Sequence, residues 1–422
     1  MKISMFTNTY LPHVGGVARS VSTFVEDLRR QGHLVQVIAP SFPEHNPGKE
    51  EYVVRLPAIQ NFNGSDFSVK LPLPGTIDEE IADFSPDIIH SHHPFLLGDS
   101  AVRVSRSLEL PLVFTHHTLY EQYTHYVPLD SELLKRFVKD LATQYANLCN
   151  YVIAPSSAVK TLLLKRGVQS SIGVLPTGIN LSFFNSGDGK KFRQIHGIDE
   201  QIQVIGHLGR LAPEKNLLFL ARGVADAVEQ FPNARFMVAG EGSAREDIVR
   251  VFEELNLKKS LLMVGNITGR DLADCYAAMD VFVFASKSET QGLVLAEALA
   301  ASVPVIALSA SGVDDVIENR VNGILLEAQS SQNDFTVALV DLLKDGERLQ
   351  SLKAKSTRSV EKFSHQSCST RLASIYQQII HTREQPFSLE IDGLDSLLLS
   401  IKAEWELLQE KTAAALNSLA ES

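Results

Sequence analysis

Short β-branched runs alternate with helical patterns along most of this chain, and that alternation leaves few architectures open. Strands joined through helices return parallel to one another, so their sheets are covered on both faces. In the first half the strand candidates are Lys2–Thr7, Leu34–Ala39, Asp87–Ser91, Pro111–Thr115, Asn150–Ala154 and Ile172–Leu175. Between the first two, Val17, Val21, Phe24, Val25 and Leu28 recur at helical spacing, and Gly32 supplies a stop. Residues 40–80 are rich in Pro, Gly and Asn and read as irregular excursions. The pattern restarts with Ile202–Leu208, Ala234–Ala239, Ser260–Val264, Val281–Ala285 and Pro304–Ala307. The polar stretch Asn185–Gly189 reads as a linker. The fold class is therefore α/β, with two Rossmann-like, doubly wound domains facing a cleft. Domain one spans 1–184 and domain two 197–364. A helix over 365–382 follows, and 383–422 is a helical extension. In that extension Leu394, Leu397, Leu398, Ile401, Trp405 and Leu408 form one stripe, which reads as a packing helix.

Within this frame Glu297 stands out, because it interrupts the apolar run Leu293–Ala301. Such a run reads as a core helix, and an unpaired carboxylate there costs several kcal/mol, roughly. Eight residues earlier, Glu289 lies in the polar turn Ser286–Gly292, directly after the buried-strand pattern Asp280–Ala285. One carboxylate thus sits in a strand–helix turn and one in the opening turns of the helix. In open α/β sheets that junction is where ligands bind. Pairing with a basic neighbour explains Glu297 as well at this point.

Three more constellations fall at strand ends. Tyr10-Leu-Pro-His-Val-Gly-Gly-Val17 opens the first helix, and Gly15 and Gly16 let backbone amides approach an anion closely. A tight turn explains the glycine pair equally well, and the dinucleotide pattern Gly-x-Gly-x-x-Gly does not occur here. His207-Leu-Gly-Arg-Leu-Ala-Pro-Glu-Lys-Asn216 follows the first strand of the second half. Arg210 can clamp phosphate oxygens in bidentate fashion and Lys215 adds a compact charge, the alternative being a solvated surface loop. Histidines crowd two further strand ends, His90-Ser-His-His93 and Thr115-His-His-Thr118. Adjacent histidines on a strand point to opposite faces and no carboxylate or cysteine completes a set, so metal binding is not expected. Hydrogen bonding to a polyhydroxylated ligand suits at least one of them, and His90 reads as structural.

Composition limits the partners. A net charge of -11 argues against nucleic acid. The acidity is uneven: residues 1–180 hold 15 Lys/Arg against 17 Asp/Glu, so the first half is better suited to approach an anionic surface. Cys149, Cys275 and Cys368 are an odd, widely spaced set with no metal spacing. No signal-like or membrane-spanning stretch is present in the sequence, and the reading is cytoplasmic and reduced.

Taken together, residues 1–380 resemble the retaining glycosyltransferases of family four, which have the GT-B fold, and that resemblance implies that the helix over 365–382 crosses back to the first domain. The resemblance rests on Gly15-Gly16, on Gly209-Arg-Leu-x-Pro-Glu-Lys215, and on Glu289 and Glu297 followed by Ala298 and Pro304-Val305. It implies that Glu297 holds the ribose hydroxyls of a nucleotide sugar and that Glu289 contacts the sugar ring. Gly292 and Leu293 belong to the same donor site. Arg210, Lys215 and the Gly16 amide would bind the diphosphate, and His117 would reach the donor sugar and acceptor. No cofactor is implied; the nucleotide sugar is substrate, and a metal is not expected to be required. Front-face retention, in which the leaving phosphate takes the acceptor's proton, is the family's mechanism.

The family commonly has an aromatic before the glycine that follows its first glutamate, whereas Gln291 stands here. With Thr115-His-His-Thr-Leu-Tyr-Glu-Gln-Tyr-Thr-His-Tyr-Val-Pro128, this resembles the 1,2-diacylglycerol 3-glucosyltransferase branch. That branch implies glucose transfer from UDP-glucose to a lipid acceptor, with His92 and Tyr126 on the acceptor side. It also implies a peripheral place on the inner face of the cell membrane. Leu133, Leu134, Phe137, Val138 and Leu141 form an apolar stripe flanked by Lys135, Arg136 and Lys139, with Lys160, Lys165 and Arg166 nearby. Basic amphipathic helices of this kind lie on anionic membranes, although most such stripes pack against a core. A soluble acceptor, an epimerase, and a nucleotide-sugar-binding protein without activity are the competing expectations.

Overall fold

The computed structural model of this chain describes residues 1–13, 15–42, 51–59, 69–70, 76–122, 132–287, 289–382, 406–407 and 410–411. In chain order the elements begin with β1 (Lys2–Phe6), α1 (Gly16–Arg30), β2 (Leu34–Pro40), β3 (Val53–Leu56), β4 (Ala58–Ile59), β5 (Val69–Lys70) and α2 (Thr76–Phe84). They continue with β6 (Ile88–Ser91), α3 (Leu97–Ser107), β7 (Leu112–Thr115), α4 (Glu132–Leu148), β8 (Tyr151–Ala154), α5 (Ser157–Lys165) and β9 (Ser171–Val174). Next come α6 (Leu181–Asn185), α7 (Gly189–Ile195), β10 (Gln203–Leu208), α8 (Leu217–Gln230), β11 (Ala234–Ala239), α9 (Arg245–Glu254), β12 (Leu261–Gly265) and α10 (Gly269–Ala277). The last are β13 (Val281–Phe284), α11 (Leu293–Ala300), β14 (Val305–Leu308), β15 (Gly323–Leu326), α12 (Gln332–Lys344), α13 (Gly346–Ser359) and α14 (His365–His381).

The chain forms two units: Met1–Gly178 with Cys368–Ser422, and Ile179–Ser367. Each is built on one parallel sheet. The first has the strand order β3-β2-β1-β6-β7-β8-β9, and the second β12-β11-β10-β13-β14-β15. Both follow the doubly wound order in which strands build outward from the first and then reverse. The reversal lies between β1 and β6 in one unit and between β10 and β13 in the other. These two GT-B-type, Rossmann-like units match the fold expected from the alternation.

The strands are apolar on both faces because helices cover both. In β13, Val281, Phe282, Val283 and Phe284 are all buried; Val281 and Val283 face one core of the second unit and Phe282 and Phe284 the other. Each such side chain contributes about 1.5–3 kcal/mol by leaving water. Two similar cores flank the first sheet, one under α3 and α4, the other under α1 and α14. From Cys368 onward α14 belongs to the first unit, where Cys368, Leu372 and Tyr376 are fully buried.

Three features differ from the sequence reading. The stretch 40–80, read as irregular, carries β3, the small antiparallel pair β4–β5, and the first part of α2. As the edge strand, β3 buries little, so only Leu56 of its four residues is fully enclosed. The strand β15 follows the turn Arg320–Asn322 and was not expected. The polar stretch Asn185–Gly189 joins α6 to α7 rather than forming a linker, and Phe184 and Phe192 anchor those helices in the second unit's core.

Of the extension, Glu406, Leu407, Glu410 and Lys411 are described. Arg106 Nε donates to Glu406 at 2.9 Å, Leu407 is buried in the first unit's core, and Lys411 Nζ donates to Asp99 at 2.7 Å. The stripe Leu394, Leu397, Leu398, Ile401, Trp405 and Leu408 lies outside the described residues.

Candidate functional site

In the second unit the expected donor residues gather at the topological switch point, on the loops after β10 and β13. After β10 the chain turns through Pro213–Lys215 and leaves at Asn216, whose φ of 56° is left-handed. The Asn216 amide donates to the Ala285 carbonyl at 3.2 Å, tying this loop to the end of β13. Close packing against the loop after β11 needs Gly240, where a Cβ would sit 1.9 Å from the Gly209 carbonyl oxygen. Lys215 therefore projects from a braced turn, and its Nζ lies 3.1 Å from Glu289 Oε2.

Glu289 is held from a second side. Its Oε1 accepts the Gly292 amide at 3.1 Å and the Gln291 amide at 3.4 Å. Burial opposes ionisation most strongly, yet Lys215 and these two amides together outweigh it and hold Glu289 below the ordinary carboxylate range. Gly292 caps α11 at φ 75°, and a Cβ there would lie 2.8 Å from the Gly312 carbonyl oxygen, so only glycine fits without strain. Leu293 then begins the helix, half-buried at its N-terminal end.

Glu297 is 1% exposed, and the Tyr276 hydroxyl of α10 donates to its Oε2 at 2.9 Å. A basic partner was one sequence expectation; the donor of this hydrogen bond is a phenol. Sequence reasoning missed Tyr276, whose only signal was that a buried carboxylate requires a buried donor. Arg210 is nearly half exposed and pairs with Glu214 four residues on.

The first unit brings its own loops to its switch point. Gly15 caps α1 and Gly16 begins it, at the far end of the loop that leaves β1 at Phe6. A Cβ on Gly16 would meet nothing within 4 Å, so packing alone does not demand glycine there. Arg55 of β3, another residue missed from the sequence, braces the loop: its Nη2 donates to the Leu11 carbonyl at 2.6 Å and its guanidinium lies over the Tyr10 ring.

The histidines divide by face. His90 is structural as expected, bonded to the Tyr376 hydroxyl at 2.5 Å and to Thr115 Oγ1 at 2.7 Å. His93 Nδ1 accepts the Asn8 amide at 3.1 Å. His92 Nδ1 lies 2.9 Å from His117 Nε2. Burial keeps all of these rings neutral, with His90 and His93 pulled down to about 3. Among the described residues no three His, Cys, Asp or Glu side chains are arranged to hold a metal ion.

On α4 the expected basic stripe is partly neutralised by its own acids. Lys135 pairs with Glu132 at 2.8 Å and Lys139 lies 3.8 Å from Asp140. Leu133 is 43% exposed, whereas Leu134, Arg136, Phe137 and Val138 are half-buried and Leu141 is buried. On α5, Leu164 is 53% exposed. Arg166, at the end of α5, is engaged with Glu121 at 2.5 Å. Tyr126 lies outside the described residues.

Residues 14–183 match the family model "Glycosyltransferase Family 4", and 188–359 match "Glycosyl transferases group 1". The chain is 30% identical to an alpha-monoglucosyldiacylglycerol synthase of Streptococcus pneumoniae, over 81% of this chain and 78% of that protein. It is 27% identical to the enzyme of the same name from Acholeplasma laidlawii, over 90% of this chain and 98% of that one. Among solved structures, Anabaena HepE in complex with UDP and glucose aligns with a TM-score of 0.71 at 19% identity, covering 90% of this chain and 100% of that one.

Proposed function

The chain belongs to glycosyltransferase family 4 and is a nucleotide-sugar-dependent hexosyltransferase, and from that premise we propose that it moves glucose from UDP-glucose to the 3-hydroxyl of 1,2-diacylglycerol, with retention. The observation that carries the chemistry is Glu289, kept ionised beside Lys215 at the end of a central strand. Its fixed carboxylate suits sugar hydroxyls. Glu297, buried in the middle of α11, suits the paired hydroxyls of a ribose. Arg210 and Lys215 receive the diphosphate and stabilise the charge that grows on it as the glycosidic bond breaks. The acceptor oxygen bonds to the anomeric carbon on the face the diphosphate leaves. Its proton passes to the departing phosphate oxygen, and UDP is released. The Gly16 amide is assigned to the diphosphate and His117 to the donor sugar and acceptor.

The lipid acceptor is supported by similarity to the two diacylglycerol-glucoside synthases and by exposed Leu133 and Leu164 beside cationic side chains. No helix among the described residues is long and apolar enough to cross a membrane. The proposed attachment is peripheral, on the cytoplasmic face, through the first half of α4. The test is purified protein with radiolabelled UDP-glucose, with and without mixed micelles of diacylglycerol and anionic lipid. Label entering the organic phase only with diacylglycerol supports the reading. Label passed only to a soluble sugar or to water discards the lipid acceptor and keeps the donor chemistry.

A further inference from the structure

His92 and His117 meet across β6 and β7 in a way that restricts how His117 carries its proton. His92 lies one residue past the end of β6 and continues its alternation, so its ring lies beside that of His90. His90 is pinned by Tyr376 and Thr115, and its ring centroid stands 4.1 Å from that of His92. His92 is wholly buried, and its Nδ1 lies 2.9 Å from His117 Nε2 with the two rings stacked. Both rings are neutral, so a single N–H makes this bond.

Two tautomer pairs satisfy the distance. If His117 donates from Nε2, His92 must carry its own proton on Nε2, a buried atom with no hydrogen-bond partner. If His92 donates from Nδ1, that same atom is a bare lone pair. Orphaned buried donors are rarer than under-satisfied acceptors, and so the second pair is favoured. We infer that His92 is a positioning residue that donates from Nδ1 to His117 Nε2 and holds His117 in its Nδ1–H tautomer. His117 then has both ring nitrogens occupied, Nδ1 by its own proton and Nε2 by the bond from His92, and is not the base that takes the acceptor's proton. This rests on the proposed place of His117 beside donor sugar and acceptor, and it fits a reaction in which the leaving phosphate receives that proton.

The test uses full-length protein labelled with 15N-histidine, with His117 assigned by loss of its signals in His117→Gln. Two-bond proton–nitrogen correlations should show His117 protonated at Nδ1 and unprotonated at Nε2; the reverse pattern overturns the inference without reference to activity. His92→Asn, whose amide can still donate near the Nδ1 position, should keep the tautomer and retain severalfold more kcat than His92→Phe. His92→Phe should release the tautomer and lower kcat about tenfold, with donor KM within about twofold. If His92→Phe does not fold, the wild-type tautomer and His92→Asn decide. Unchanged turnover in folded His92→Phe, when His117→Gln is inactive, overturns the positioning role. Full activity in His117→Gln instead overturns the parent reading of His117, while the wild-type tautomer still judges the bond.

Discussion

Lys215 Nζ stands 3.1 Å from one oxygen of Glu289, while the Gly292 amide binds the other oxygen at the same distance. The carboxylate is thereby fixed between two loops that come from different strands of one sheet. Neither side chain has to be ordered when a ligand arrives, which is the condition for electrostatic stabilisation without reorganisation.

Lys215→Ala should therefore lower kcat/KM by two orders of magnitude or more, roughly the loss seen on removing one preorganised donor. Glu289→Gln keeps the shape and should lower kcat more than donor affinity; both are read by steady-state kinetics. The pH dependence has a definite sign. The folded Glu289 pKa lies below its unfolded value, so its contribution is full above about pH 4.3 and fades as pH falls through the folded pKa. The stability gap between wild type and Glu289→Gln, followed by thermal melts, should accordingly be constant near neutrality and shrink in acid.

Tyr276→Phe removes the hydroxyl that donates to Glu297 and leaves a buried carboxylate with one hydrogen bond fewer. Stability of the second unit should fall by about 1–3 kcal/mol in urea titrations. Donor KM should rise severalfold with a smaller change in kcat, because the loosened carboxylate is assigned to binding.

Much of this was legible beforehand, for identifiable reasons. The strands were readable because parallel strands buried on both faces are continuous apolar runs, as in Val281–Phe284. Edge strands such as Val53–Leu56 bury little and left no such run. Glu289, Glu297, Lys215 and Arg210 were conspicuous as charges set beside buried segments. Tyr276 and Arg55 were not, because an aromatic inside a core helix and an arginine on an edge strand are ordinary until their partners are seen. Likewise the pairing of His92 with His117 joins residues 25 apart in sequence, and only the strand order brings them together.

The docked end of the extension provides a third prediction. Glu410 is buried with neither carboxyl oxygen hydrogen-bonded; burial, reinforced by Asp99 and partly offset by Lys411, pushes it up to about 8. A raised carboxyl pKa means that the folded state retains a proton the unfolded chain loses. Stability should thus decline as pH rises from about 4.3 toward 8. Glu410→Gln should raise the melting temperature of the first unit at pH 7.5 and flatten that decline, as measured by calorimetry across this range.

Membrane contact through α4 yields a fourth. Exposed Leu133 and half-buried Arg136, one apolar and one basic residue of this stripe, are the residues to change. Leu133→Glu with Arg136→Glu should weaken co-sedimentation with anionic vesicles by about tenfold or more, given about 1 kcal/mol per basic residue and the lost apolar burial. Turnover of a short-chain, water-soluble diacylglycerol should change little.

The proposed reaction is defined by where the sugar goes and in which configuration. The most direct measurement is NMR of the organic-phase product formed from 13C-labelled UDP-glucose and 1,2-diacylglycerol. An α-linked glucosyl group on the glycerol 3-oxygen is the predicted result. A β-linkage would contradict retention, and label found only in water-soluble products would contradict the lipid acceptor.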